Sequence, residues 1–113
     1  MFKDCLKLTD VKLPDNIYGV SRSAFLNCQN LSSVSFGNNI EYIGLNAFEK
    51  CINLKEVVFP GTCEIRVNHY AFQDCSSIEN VDLGETCTIG NYAFYKCSSL
   101  KKLKMNNLSH IGA

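Results

Sequence analysis

The amino-acid sequence predicts an α/β solenoid of about five repeats of about 23 residues each, and three observations carry the prediction. Phenylalanine recurs at Phe2, Phe25, Phe48, Phe72 and Phe94, in steps of 23, 23, 24 and 22. A cysteine follows each of them three residues later, at Cys5, Cys28, Cys51, Cys75 and Cys97. Within each interval the apolar residues first alternate and then fall three apart, the periods of a half-buried strand and of a helical turn. A unit this short cannot bury its apolar face alone, so neighbouring units must stack and share one long core.

The elements follow in order along the unit. After each cysteine an aliphatic stands at Leu8, Leu31, Leu54, Ile78 or Leu100. Two further apolar columns alternate with polar residues: Val11, Val34, Val57, Val81 and Leu103, then Leu13, Phe36, Phe59, Leu83 and Met105. That alternation predicts a strand, which Pro14, Gly37, Pro60 and Gly84 end, because proline lacks a ladder donor and glycine permits a turn. A turn of varying length leads to Val20, Ile43, Val67, Ile89 or Ile111. The unit closes on Ala-Phe-x-x-Cys, where residues such as Phe25 and Cys28 share one face of a predicted helical turn. The array occupies 1–113 as a single domain, with partial repeats at 1–4 and 98–113. Neither end resembles a polar cap, so the open ends are expected to self-associate or to join more repeats.

Composition excludes several function classes. Eleven basic and eleven acidic side chains leave no net charge, against the basic footprint of a nucleic-acid binder. No apolar run approaches the ~20 residues of a membrane helix, and MFKDCLKLTD carries no targeting signal. Seven cysteines are the outlier, and an odd number leaves at least one thiol outside any intramolecular disulfide set.

The unit Cys28-x-x-Leu31-x-x-Val34-x-Phe36, with Ile43-Gly44 and Ala47-Phe48-x-x-Cys51, resembles the BspA-like leucine-rich repeat of bacterial and protist surface proteins. The pattern recurs from Cys51 to Cys75 and from Cys75 to Cys97; Val20-Ser21, Val67-Asn68 and Met1 depart from it. The resemblance implies a curved coil with a parallel sheet on its concave face and irregular or short helical turns and short strands outside. It also implies adhesion or recognition of a protein ligand, such as a host-surface or extracellular-matrix protein, at the cell surface if the parent protein carries a signal. An intracellular interaction or regulatory module is the alternative, equally suited to reduced cysteines.

The cysteine column reads as core. Equivalent residues of stacked strands lie about 4.8 Å apart, but their side chains run parallel into the core, and a ladder cannot converge on a tetrahedral metal. Five free thiols packed as small hydrophobes are expected, with Cys63 and Cys87 the one pair to test for a disulfide. No cofactor, metal or catalytic constellation is expected. His69 and His110 lack a catalytic motif, the acids are scattered, and no phosphate-binding glycine motif is present.

Function is therefore expected on the exposed strand positions. One outward column is Asp10, Ser33, Glu56, Asn80 and Lys102; the next is Lys12, Ser35, Val58, Asp82 and Lys104. Their mixed signs suit a protein surface better than a polyanion groove. Lys96, Lys101, Lys102 and Lys104 form a basic stretch, either a solvated face or an anion contact. Tyr70 and Tyr92, with Tyr95 near, are expected to stack on the outer face, as packing or as an interface. Asn30-Leu31-Ser32 and Asn107-Leu108-Ser109 match the glycosylation sequon, with the middle leucine expected in the core.

Overall fold

A computed structural model describes residues 3–60, 65–84 and 88–104, together with the strand backbone at 110–111. Phe2, Cys63, Cys87, Met105 and the sequon at Asn107 lie outside the described residues, as do the terminal residues and the expectations placed on them.

Each coil contributes two short strands, and all pairings are parallel. The first of each coil are β1 (Asp10–Lys12), β3 (Ser33–Ser35), β5 (Glu56–Val58), β7 (Asn80–Asp82) and β9 (Lys102–Lys104). The second are β2 (Gly19–Val20), β4 (Tyr42–Ile43), β6 (Arg66–Val67), β8 (Thr88–Ile89) and β10 (His110–Ile111). The second set forms one five-stranded sheet in coil order, whereas the first divides into β1–β3 and β5–β7–β9. The third side of each coil is the Ala-Phe-x-x-Cys arc. Among the described residues five rungs bound about four complete turns, against the expectation of about five repeats.

The arc corrects the α/β expectation, for no helix occurs among the described residues. Residues flanking each Ala-Phe pair take left-handed backbone: Ser23 and Asn27, Asn46 and Lys50, Tyr70 and Asp74, Tyr92 and Lys96, all with φ between 56 and 63°. A left-handed residue every fourth position prevents right-handed helix from propagating. The amides are also spent elsewhere. Those of Ser23, Phe25 and Asn27 donate to Leu45, Ala47 and Glu49 of the next coil at 2.8–2.9 Å. The intervening amides of Ala24, Leu26 and Cys28 close three-residue turns onto the carbonyls of Ser21, Ser23 and Phe25. The arc is thus a run of turns whose alternate amides stitch coil to coil.

The core follows the predicted columns. Val34, Val57 and Val81 point inward from their strands and are buried, as are Leu31, Leu54 and Ile78. The phenylalanines stack in a continuous ladder, with ring centroids 5.0 Å apart for Phe25–Phe48, 5.1 Å for Phe48–Phe72 and 5.2 Å for Phe72–Phe94. Phe36 and Phe59 meet each other at 4.9 Å and close the space between this ladder and the first strands. The Ile-Gly pair answers a close approach. A Cβ on Gly44 would lie 2.7 Å from the Ser21–Arg22 peptide, and one on Gly90 would lie 2.6 Å from the His69 nitrogen. Ser21 and Asn68, the departures from the repeat, belong to the peptides on which these glycines pack.

Candidate functional site

The ladder places all ten predicted face residues in register. Asp10 stands beside Ser33 and Lys12 beside Ser35. Glu56, Asn80 and Lys102 form one row across β5, β7 and β9, and Val58, Asp82 and Lys104 form the next. Nine are exposed and Asp82 is half-buried. Their alternation with buried valines follows from strand geometry, which sends successive side chains to opposite faces.

The hydrogen-bond ladder is divided between the two groups. Leu13, Phe59 and Leu83 each donate a backbone bond to the next coil at 2.7–2.9 Å, but no such bond joins Phe36 to Val58. At this seam Lys55 N reaches Ser32 O at 3.3 Å, against 2.7 Å for Ser32 to Thr9 and 2.8 Å for Glu79 to Lys55. Asp10, Lys12, Ser33 and Ser35 therefore belong to one ladder and the six residues of β5, β7 and β9 to another, with β3 and β5 still neighbours.

Polar contacts tune the face. Ser33 Oγ donates to Asp10 Oδ1 across the strands. Asp82 turns toward its own coil, where Oδ1 accepts the Gly84 amide at 3.0 Å; Gly84 has φ +55°. Val58 remains 48% exposed amid polar neighbours, so it offers an apolar contact there. Lys101 pairs with Glu79 at 3.1 Å, a contact the sequence reading missed because strand alternation counted from Val11 turns that column inward. The basic stretch is dispersed: Lys102 and Lys104 lie on the strand face, Lys101 is paired, and Lys96 lies on the arc.

The described cysteines are free thiols, with Cys28, Cys51, Cys75 and Cys97 buried and Cys5 half-buried. Beyond filling space, they donate. Sγ of Cys51, Cys75 and Cys97 reaches the carbonyls of Phe25, Phe48 and Phe72 in the preceding coil at 3.2, 3.0 and 3.2 Å. Burial pushes the Cys51 thiol up to about 12 and the Cys97 thiol to about 11, and holds Cys28 and Cys75 above the ordinary value. A neutral buried thiol is a poor nucleophile, so this column is structural.

On the arc, Tyr70 and Tyr92 stack with centroids 5.6 Å apart and an interplanar angle of 12°. Tyr95 meets Tyr92 edge-on at 5.2 Å. His69 is exposed, and its Nδ1 accepts the Asn91 amide at 2.7 Å. The Asn30 sequon is engaged: Asn30 Nδ2 donates to Leu6 O at 2.6 Å, and Leu31 is fully buried. Asn53 repeats that bond to Gln29 O at 2.8 Å, so this column clamps coils together. Among the described residues, no cluster of three His, Cys, Asp or Glu could hold a metal, and no helix is long and apolar enough to cross a membrane.

A family profile described as the BspA type leucine rich repeat region matches residues 1–113 in six copies. No curated protein matches significantly. Among solved structures, the chain is similar to a leucine rich cell surface protein from Faecalibacterium prausnitzii A2-165, with 27% identity and a TM-score of 0.85 over 93% of this chain and 28% of that one. It is similar also to a leucine-rich repeat protein from Bacteroides ovatus ATCC 8483, at 29% identity and TM-score 0.84 over 91% of this chain and 26% of that one. The T. pallidum leucine rich repeat protein shares the fold at 21% identity and TM-score 0.64, over 94% of this chain and 74% of its own. The chain thus spans 28% and 26% of the first two structures' lengths.

Proposed function

The chain belongs to the BspA-type leucine-rich-repeat family, and from that membership we propose that it is a protein-recognition scaffold of a cell-surface protein, acting by contact alone and without catalysis. The observation that carries the reading is the contrast between the two sides of the first strands. The inward side repeats from coil to coil as Val34, Val57 and Val81, whereas the outward rows change charge and size at nearly every rung. A rigid ladder displaying unlike residues in register suits recognition of an irregular partner surface. The cell-surface assignment draws support from the F. prausnitzii neighbour. An adhesive role toward a host-surface or extracellular-matrix protein is the finer form of the same proposal.

The test is binding of the purified chain to immobilised extracellular-matrix proteins, read by biolayer interferometry. Combined substitution Glu56→Ala, Val58→Ser, Lys102→Ala and Lys104→Ala is expected to weaken the interaction at least tenfold; unchanged binding would overturn the assignment of this face. The rival, an intracellular interaction module, draws on the free thiol column. The sequence flanking this segment in its parent protein separates the two: a secretion signal or membrane anchor supports the surface reading, a signalling domain the rival.

A further inference from the structure

We draw no further inference here: the strongest candidate, the surface patch on the outward face of the second sheet where exposed Tyr42 and Arg66 stand side by side and the Tyr42 ring fills the space beside Gly19, carries nothing because nothing in the structure shows what covers it.

Discussion

Cys75 shows how one residue type serves this chain. It is fully buried, and its thiol donates to the Phe48 carbonyl of the coil before it. Cys75→Ala removes that bond and leaves a small void, so a loss of about 1–2 kcal/mol is expected from urea denaturation. The column also makes stability depend on pH. Burial raises the folded thiols, Cys51 to about 12 and Cys97 to about 11, from an ordinary value of 9.0. Below about pH 9 both folded and unfolded chains hold these protons, and the stabilisation is complete. Above it the unfolded chain loses protons that the folded chain keeps, so stability falls, by up to ~1.4 kcal/mol per pH unit for each such thiol, until the folded thiols themselves ionise. Denaturation at pH 8, 9 and 10 measures the slope, and Cys51→Ala should flatten it. The role of the column was legible in the spacing of the cysteines. Their hydrogen bonds were not, because no pattern of residue types marks which carbonyl a buried thiol faces.

At the scale of the element, the arc is where sequence and structure part. A spacing of three between Phe25 and Cys28 fits one helical turn and fits consecutive hydrogen-bonded turns equally well, since both put the two side chains on one side. What separates them is left-handed backbone at Lys50, Tyr70, Tyr92 and Lys96, none of which is a residue that announces it. Lys50→Asn is expected to stabilise the chain by several tenths to about 1 kcal/mol, because asparagine tolerates that conformation; a rise in the denaturation midpoint checks it. The opposite is expected at Gly44. A methyl group there meets backbone 2.7 Å away on the Val20–Arg22 segment, so Gly44→Ala must push two coils apart and should destabilise by ~1–3 kcal/mol in the same measurement. The first strand of each coil was legible, since alternation marks it and Pro14, Gly37, Pro60 and Gly84 end four of the five, whereas the two-residue second strands were expected only from the family resemblance.

The whole molecule is a one-dimensional stack, and its most damaging changes are those that interrupt a ladder midway. Phe48 is sandwiched between Phe25 and Phe72, while Phe94 is half-buried at the far end of the row. Phe48→Ala should therefore lose ~3–5 kcal/mol, clearly more than Phe94→Ala, and thermal melts of the two compare them directly. The division of the first strands between β3 and β5 could not be read in advance, because every apolar column continues across it. Beside it the second sheet runs unbroken, the Phe36 and Phe59 rings meet across it, and Lys55 N still reaches Ser32 O, so the coils stay joined where the ladder of the first strands is divided. A partner of the proposed face that spans Ser33 and Ser35 on one side and Glu56 and Val58 on the other would therefore bridge two separate ladders in a single contact.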